Sequence, residues 1–542
     1  MCGIYSKFMR SELCQCSIQS SFVQNKYNTC EECKNSLESF YKIKHRGPDD
    51  SKYIECRDMN IVSFLGFHRL SIVGLENGMQ PFENNNNYLL CNGEIYNYKE
   101  LIEKYDLFSS LKTKSDCEVI LLLYSKIGIL QTIKELRGDF AFILYDANNN
   151  LVHFGRDPFG VRPLFYLFEH DRNILTLASE AKCFPQKDNL SQVTPRICYT
   201  YNLQTTSLTE TTYYNFQEDV KLEKNQNNFI TLLENSVRKR LNAEREIGFL
   251  LSGGLDSSLI LSISLKFLDS KYYPIKVFSI GFDDTSPDII ASKEVVNYLK
   301  KKYGDTCITH IILKPTIEEA LLSLSKVIKT IESFDTTTIR ASTPMYLLSK
   351  YISEYTNVKV VFSGEGSDEN TFLGYLYLLY APDISSARQE SKRLLSDIHY
   401  FDGLRADRTT SNFGLELRVP FLDQDFISYC MNDDNLTRQT LESKVEKKYL
   451  RDCFKDYLPN QILYRQKNAF SDAVSYDWKK KIKEYTENKI KTKNKYMSSE
   501  ELFYISEFSK HYNLNLIPYL WLPKWIDTGN EPSATVLSVF KQ

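Results

Sequence analysis

The chain has 542 residues, enough for about three to four domains with large cores. Its 67 basic and 69 acidic side chains give a formal net charge of −2. This charge provides no electrostatic attraction to nucleic acid or to an acidic membrane surface, so it argues against both as partners. No apolar run approaches the ~20 residues that span a bilayer, and 13 scattered cysteines, an odd number, favour reduced thiols and a cytoplasmic location.

The second residue is a cysteine. Removal of Met1 would leave Cys2 with a free α-amine, and an α-amine with a pKa of about 7.7–8.0 is partly neutral near pH 7. The thiol nucleophile and its amine base would then belong to one residue. A cysteine at this position is more often an incidental buried thiol, so the interpretation depends on partners farther along the chain.

Four cysteines follow in a polar stretch: Cys14, Cys16, Cys30 and Cys33. The C-x-C and C-x-x-C pairs lie about a dozen residues apart, a spacing typical of zinc ligands. The alternative is a polar surface insertion with free thiols. A structural Zn²⁺ site is therefore one of two interpretations of this stretch.

Five short strings between residues 45 and 158 combine charged residues with turn residues. They are 45–49 (HRGPD), 67–73 (FHRLSIV, alternating like a strand), 91–97 (CNGEIYN, after the predicted strand 88–90), 115–118 (SDCE, before a helix) and 155–158 (GRDP, after a strand). Arg69 can bind a carboxylate through two hydrogen bonds, and Glu94 and Asp116 can hold an ammonium group. Asn92 and the N–H group of Gly93 can hold an oxyanion. Together they predict a pocket for an amino acid whose side-chain carbonyl is attacked by the thiol, although each alone could be a surface charge or turn residue.

The composition changes after about residue 200. Residues 200–225 are polar, rich in threonine and poor in aliphatic side chains, as linkers between domains are. We therefore predict a first domain at 1–205, a linker at 206–225 and a second domain at 226–542. The asparagine tracts 84–87 and 148–150 are predicted to be hairpin turns of the first domain.

The second domain reads as alternating strands and helices. A helical stripe over 229–241 is followed by predicted strands at 247–251, 276–282, 307–313 and 358–363, with a helix at 259–268, helical segments between the later strands, and solvated helices after about 478. This alternation predicts a parallel sheet covered by helices, with ligands beyond the carboxyl ends of its strands. Ser252 and Ser363 both follow strands, so their loops should flank one crevice.

The loop after strand 247–251 reads Ser-Gly-Gly-Leu-Asp-Ser-Ser. Gly253 and Gly254 allow a sharp turn and a close approach to a ligand, and the helix start offers free N–H groups to an anion. No lysine follows the glycines, so the loop is not a Walker A motif. Asp256 would repel bare phosphates but could hold Mg²⁺ bound to pyrophosphate. An ordinary Gly-Ser turn is the alternative.

Three later strings complete the predicted second site. Residues 363–369 (SGEGSDE) offer glycines to a nucleotide and carboxylates to Mg²⁺ or a reacting amine. Residues 335–344 (DTTTIRASTP) offer hydroxyls and an arginine to a carboxylate, and 464–467 (YRQK) offers a cation to a transferring phosphate. The first string could instead be a solvated acidic loop, and the other two could be structural helix caps and surface cations.

These motifs, in this order, resemble the glutamine-hydrolysing asparagine synthetases over nearly the whole chain. The resemblance implies an α+β N-terminal-nucleophile glutaminase domain of four layers, of the class II glutamine amidotransferase type. It implies next an α/β parallel-sheet PP-loop domain like the adenine nucleotide alpha hydrolases. The implied activity is ATP-dependent synthesis of asparagine from aspartate with ammonia from glutamine, through a β-aspartyl-AMP intermediate, releasing AMP and pyrophosphate. Glutamine, aspartate, ATP and Mg²⁺ are the implied small molecules, and a homodimer is compatible with the resemblance.

The resemblance also assigns roles by position. Catalytic positions match Cys2, Asn92, Gly93, Glu365 and Lys467. Glutamine-binding positions match Arg69, Leu70, Ser71, Ile72, Val73, Asn92, Gly93, Glu94 and Asp116. ATP-binding positions match Leu251, Ser252, Gly253, Gly254, Asp256, Ser257, Ile280, Ser363 and Gly364. Aspartate-binding positions match Thr337 and Arg340, and magnesium positions match Asp256 and Asp368.

One departure and two rival functions accompany the resemblance. Leu373 stands where the family pattern predicts a glycine, which puts the local backbone geometry in question. One rival is a relative that uses another acceptor acid, as β-lactam-forming relatives do, but those lack the N-terminal cysteine. The other is a silent sensor or scaffold, which should have lost Cys2, Asp256 or Glu365.

Overall fold

The computed structural model describes residues 1–14, 30–57, 60–184, 188–216, 222–466, 474–475, 477–491 and 497–526. It divides into two compact units, Met1–Asn215 and Phe216–Gln542. Lys467 and Cys16, two residues with predicted roles, lie outside the described ranges.

The first unit contains two six-stranded sheets. Its strands are β1 (Gly3–Arg10), β2 (Asp50–Arg57), β3 (Ile61–Arg69), β4 (Phe82–Asn84), β5 (Asn87–Ile95), β6 (Gly138–Asp146), β7 (Leu151–Arg156), β8 (Phe165–Glu169), β9 (Ile174–Ala178), β10 (Ser191–Gln192), β11 (Ile197–Asn202) and β12 (Ser207–Thr212). The first sheet has the order β10-β8-β9-β1-β3-β2 and the second β12-β11-β7-β6-β5-β4. All pairings within both sheets are antiparallel.

Alternation along the strands explains the layering of this unit. On β1 and β3, Phe8 and Leu65 join an apolar core with Ile143 and Phe154 of the second sheet, so the two sheets pack face to face. Residues of opposite parity face the other way, where His68 stacks on Phe40 with ring centroids 3.8 Å apart. Phe40 belongs to α1 (Glu31–Tyr41), while α2 (Tyr98–Lys104) and α3 (Glu118–Glu135) follow β5. The predicted four-layer α+β fold is confirmed.

The second unit is built on a five-stranded parallel sheet. Its strands are β13 (Ile247–Leu250), β14 (Ile275–Ile280), β15 (Ile308–Leu313), β16 (Val360–Phe362) and β17 (Glu416–Arg418). The order is β15-β14-β13-β16-β17, and every pairing is parallel. The chain runs outward from β13 through β14 to β15 and then returns to the other side of β13, which places a topological switch between β13 and β16. The predicted α/β fold is confirmed.

Helices surround this sheet and continue beyond it. Their bounds are α4 (Gln226–Arg240), α5 (Leu255–Phe267), α6 (Pro287–Tyr303), α7 (Ile317–Ile331), α8 (Thr336–Tyr355), α9 (Ile384–Asp397), α10 (Asp402–Ser411), α11 (Gln424–Met431), α12 (Asp434–Ser443), α13 (Lys448–Cys453), α14 (Asn460–Leu463), α15 (Trp478–Lys489) and α16 (Ser499–Ser509). None of the described helices combines the length and apolar content needed to cross a bilayer.

Several bounds differ from the sequence predictions, and three of these differences have a clear local reason. β3 ends at Arg69, not at residue 73. The side chain of Asp49 accepts a hydrogen bond from the N–H of Ser71 at 2.8 Å, which turns the chain out of the sheet. α5 begins at Leu255, four residues earlier than predicted, on a glycine N-cap with no side-chain cap to mark it. Residues 207–212 of the predicted linker form the edge strand β12, where β-branched threonines suit an exposed strand.

Candidate active sites

Cys2 lies beside the end of β3 in the first unit. Its backbone N donates to Oδ1 of Asn92 at 2.8 Å, and its sulfur accepts from the N–H of Leu70 at 3.4 Å. Asn92 is buried in β5, and its Nδ2 has no hydrogen-bond partner among the described residues. A buried amide donor without a partner is costly unless a ligand supplies the acceptor. The thiol and an available donor therefore occur together, as the sequence predicted.

A network that sequence reasoning missed holds the backbone of Cys2. Nε of Arg46 donates to the carbonyl oxygen of Cys2 at 3.1 Å, and its Nη1 lies 2.6 Å from the buried carboxylate of Glu180. Burial opposes ionisation of Glu180, but Lys182, His45 and Arg46 outweigh it and hold its pKa well below its usual range. Glu180 is thus a fixed anion that orients Arg46 against Cys2.

The predicted glutamine-binding residues lie near the ends of β3 and β5 and just before α3. The guanidinium of Arg69 is held by the carbonyl oxygens of Gly74 at 2.5 Å and Leu75 at 3.1 Å. Asp116 accepts from the N–H of Ile95 at 2.5 Å. Leu70, Ser71, Ile72, Glu94 and Asp116 are buried and Val73 is half-buried.

Gly93 has a steric reason to be glycine. A Cβ atom there would lie 2.2 Å from the carbonyl oxygen of Asp139 on β6, closer than any side chain allows. The glycine therefore permits β5 and β6 to pair tightly beside Asn92.

A cavity of about 300 Å³ opens in the second unit beyond the carboxyl ends of β13 and β16. Its walls include every described residue predicted to bind ATP except Gly253: Leu251, Ser252, Gly254, Asp256, Ser257, Ile280, Ser363 and Gly364. Apolar side chains of Phe278, Met345 and Leu348 line it with them. An apolar wall beside a glycine-rich loop suits a nucleotide base and its phosphates.

Close packing against neighbouring backbone explains a glycine in each of the two loops. Gly253 has a φ of +72°, and a Cβ there would lie 2.4 Å from the N atom of Ser292 at α6. A Cβ at Gly364 would lie 2.8 Å from the Cβ of Asp256. The loops after β13 and β16 therefore touch, which confirms that they flank one crevice.

Lys447 is a second residue that sequence reasoning missed. Its ammonium lies 2.6 Å from a carboxylate oxygen of Asp256 and 2.6 Å from one of Asp368. The two carboxylates predicted to bind Mg²⁺ are therefore close enough to contact the same cation, which in this structure is the ammonium of Lys447. Oxygen ligands of this kind suit Mg²⁺, so the donor set fits the predicted metal.

Glu365 lies in the same cavity and is paired with an arginine. Nη2 of Arg405 donates to Oε1 of Glu365 at 2.7 Å, and Nη1 lies 2.8 Å from Asp402. Burial raises the pKa of the Glu365 carboxyl; Asp402 and Asp368 add to this effect, and Arg405 opposes it. A carboxyl with a raised pKa in a cavity suits proton transfer.

The two predicted aspartate-binding residues have different environments. Thr337 lines the cavity, and its hydroxyl donates to Asp335, the N-cap of α8, at 2.7 Å. Arg340 is buried, and its Nε and Nη2 donate to the carboxylate of Glu500 on α16 at 2.8 and 2.7 Å. The carboxylate that Arg340 binds in this structure is therefore a residue of the chain.

Comparisons with known proteins match a known domain family to each of the two units. A glutamine amidotransferase domain model matches residues 15–228, and an asparagine synthase model matches 228–395 and 381–517. A probable asparagine synthetase (glutamine-hydrolyzing) of Acanthamoeba polyphaga mimivirus is 39% identical over 548 residues, covering 94% of this chain and 96% of that protein. The asparagine synthetase (glutamine-hydrolyzing) of Mus musculus is 39% identical over 553 residues, covering 93% and 96%. That of Gallus gallus is 37% identical over 590 residues, covering 100% and 99%.

Proposed function

Because this chain belongs to the family of glutamine-hydrolysing asparagine synthetases, we propose that it makes L-asparagine from L-aspartate with ATP and the amide nitrogen of glutamine. The observation that carries this proposal is the pairing of two sites in one chain. One combines Cys2 with Nδ2 of Asn92, which has no partner among the described residues, and the other is the glycine-rich cavity with Asp256 and Glu365. A single-site protein would need only one of them.

The first site would release ammonia from glutamine. Once Met1 has been removed, the α-amine of Cys2 takes the thiol proton, and the sulfur attacks the side-chain carbonyl carbon of glutamine. The developing oxyanion would accept from Nδ2 of Asn92 and the N–H group of Gly93. The protonated α-amine gives its proton to the amide nitrogen, the carbon–nitrogen bond breaks and ammonia leaves. Water then hydrolyses the thioester, which releases glutamate and restores the thiol. Arg69 and Asp116 would hold the carboxylate and ammonium of the substrate, within the pocket formed by residues 70–73 and Glu94.

The second site would activate aspartate. The base of ATP would lie against the apolar wall that includes Leu251 and Ile280, with its phosphates on the loops that begin at Ser252 and Ser363. Mg²⁺, held by Asp256 and Asp368, would neutralise charge on the pyrophosphate. The β-carboxylate of aspartate attacks the α-phosphorus, pyrophosphate leaves, and ammonia then attacks the β-aspartyl-AMP carbonyl, releasing AMP.

Three residues have specific parts in this second reaction. Glu365, with its raised pKa, would accept a proton from the attacking ammonia. Thr337 lines the cavity where aspartate would bind. Lys467 is proposed to offset charge on the α-phosphate, as the sequence resemblance implies.

Product analysis tests this function. Purified protein is incubated with aspartate, ATP, Mg²⁺ and glutamine labelled with ¹⁵N in its amide. We expect labelled asparagine, with AMP and pyrophosphate in equal amounts to it. ADP as the stoichiometric nucleotide product would contradict adenylation, and an amide of another acid formed in place of asparagine would contradict the assigned acceptor.

A further inference from the structure

Three cysteines of the first unit converge at the opposite end of β1 from Cys2. Cys14 follows the short 3₁₀ helix Ser11–Leu13 at the end of β1, Cys30 is the N-cap of α1, and Cys33 lies in the first turn of α1. Their sulfur atoms are 3.6 Å apart for Cys14 and Cys30, 3.7 Å for Cys14 and Cys33, and 3.6 Å for Cys30 and Cys33. The three thiols thus form a nearly equilateral triangle.

The size of this triangle matches a metal and not a disulfide. Zn²⁺ binds thiolates at about 2.3 Å in a tetrahedron, which puts the sulfur atoms about 3.8 Å apart. A disulfide requires a sulfur–sulfur distance of about 2.05 Å and would pair two of the three while leaving the third. Three equal separations are expected when one central ion fixes all of them.

The cluster lies in mostly apolar surroundings, with one ion pair nearby. Cys14 and Cys33 are buried with Met9, Val62 and Ile174 in an apolar patch, and Cys30 is half-buried at its edge. Apolar surroundings alone would disfavour thiolate charge. Nη2 of Arg57 lies 3.9 Å from the sulfur of Cys33, but it also pairs with the carboxylate of Glu55 at 3.2 Å, so the charge that stabilises the thiolates would come from the bound ion itself.

We propose that Cys14, Cys30 and Cys33 bind one Zn²⁺ ion as a structural site of the first unit. Each thiol releases a proton to solvent as its sulfur bonds to the ion, and no oxidation occurs. Cys16, the fourth cysteine of the sequence prediction, lies outside the described residues, so the site rests on three thiolates.

The ion would fix α1 to the end of β1. At its far end α1 carries Phe40, which stacks on His68, and the chain then continues to Arg46, which donates to the carbonyl of Cys2. The metal would therefore stabilise the segment that supports the glutaminase site without touching its substrate.

Cys30→Ser distinguishes a metal site from three free thiols, because the two alternatives predict opposite changes in stability. Cys30 is an N-cap whose side chain makes no capping hydrogen bond, and serine is a preferred N-cap. Without a metal, this change should leave α1 unchanged or more stable. With the metal, it removes a ligand and should lower both the zinc content and the melting temperature.

The measurement uses the full chain purified in reducing buffer without added metal. We expect about one zinc per chain by elemental analysis in the wild type and in the control Cys56→Ser, which changes another half-buried cysteine of the same unit. Cys30→Ser and Cys33→Ser should fall to background. Equal zinc in Cys30→Ser and the wild type, or a melting temperature of Cys30→Ser at or above that of the wild type, overturns the proposal.

Cobalt substitution examines the folded wild type directly, independently of any variant. Co²⁺ exchanged into the protein should give sulfur-to-metal charge-transfer absorption and the intense visible bands of a tetrahedral thiolate site, and added Zn²⁺ should abolish them. A wild type that takes up neither Zn²⁺ nor Co²⁺, or a disulfide among the three cysteines found by mass spectrometry of the unreduced protein, overturns the site.

Discussion

Leu373 has a backbone conformation that leucine rarely adopts. Its φ is +57°, and the left-handed region costs a residue with a Cβ roughly 1–2 kcal/mol. The side chain is completely buried in a cluster with Tyr377, Leu378 and Trp521. The family pattern predicts glycine at this position, and the structure retains the glycine-like backbone while it gains a buried leucine. Burial of the side chain offsets the backbone strain.

Two substitutions separate these opposing terms. Leu373→Ala should lower the free energy of unfolding of the second unit by about 2–5 kcal/mol, because it leaves a cavity. Leu373→Gly leaves a similar cavity but relieves the strain, so it should be at least as stable as the alanine variant. Urea denaturation followed by tryptophan fluorescence reports this, since the three tryptophans, Trp478, Trp521 and Trp525, all belong to the second unit.

Leu378 supplies the matched control for this comparison. It is buried in the same cluster but its φ is not positive. Leu378→Gly should therefore be less stable than Leu378→Ala by about 0.5–1 kcal/mol, the usual order. The same order at position 373 would mean that its backbone is not strained.

At the residue scale, sequence reasoning failed where a role depends on a distant partner. Cys2 and Asp256 stand in recognisable strings, so chemistry and spacing identified them. Arg46 contacts Cys2 across 44 residues of sequence, and Lys447 contacts Asp256 across 191. Lys447 adjoins Lys448, and nothing local distinguishes the buried lysine from its half-buried neighbour.

At the scale of elements, a hydrogen-bond chain joins three neighbouring strands beside the cavity of the second unit. The hydroxyl of Ser279 on β14 donates to the carbonyl of Leu251 at 2.6 Å, after β13. It therefore accepts from Nε2 of His310 on β15, at 2.8 Å. Burial lowers the pKa of His310 to about 4, so the imidazole is neutral at pH 7.

This histidine predicts a definite acid dependence. The unfolded pKa is about 6.5, above the folded value, so the unfolded state binds the proton more tightly. Stability from this group is complete above about pH 6.5 and is lost as the pH falls towards 4. His310→Gln should be less stable than the wild type at pH 7.5, and the difference should shrink by pH 5. We would measure urea denaturation by tryptophan fluorescence at both values; a difference that stays constant would contradict the lowered pKa.

The pair between α8 and α16 gives another prediction for elements. Glu500→Gln leaves the buried guanidinium of Arg340 without its anion, which should lower stability by about 3–5 kcal/mol. The double change Arg340→Met with Glu500→Leu removes both charges and should recover much of that loss. If Arg340 acts only by positioning α8, the double variant keeps its KM for aspartate. A recovered fold with a KM raised at least tenfold would instead show that Arg340 contacts aspartate.

Across the whole molecule, the most predictable feature was the order of the first four strands of the second unit, whereas the fifth strand, β17, was not predicted. Alternating apolar strands and helices after residue 226 predicted the parallel sheet, because strands covered on both faces read as continuous apolar runs. Element ends were less predictable: β3 leaves its sheet through the contact between Asp49 and Ser71, which joins residues 22 apart. The contact of Arg340 with Glu500, 160 residues away, is equally invisible to local patterns, so the partner of a predicted ligand stayed unknown.

The two units should also be separable in function, which one pair of variants tests. Cys2→Ala removes the thiol but leaves the cavity lined by Asp256 and Glu365 unchanged. Asparagine synthesis from glutamine should fall to background, whereas synthesis from ammonium should persist and should rise with pH, because neutral ammonia is the nucleophile. N-terminal sequencing must first establish that Met1 is removed, since a retained Met1 leaves Cys2 without the amine that serves as its base.

The reciprocal variant, Glu365→Gln, should abolish synthesis from either nitrogen donor while glutamine hydrolysis survives. Glutamine keeps the size of the side chain and a hydrogen bond to Arg405, so a folded protein is expected, and its unchanged urea midpoint is the control. Loss of glutamine hydrolysis in Glu365→Gln, with the fold intact, would show that the first reaction depends on the second site. Full-rate synthesis from glutamine by Cys2→Ala would show that another group attacks the amide, and the assignment of Cys2 would be wrong.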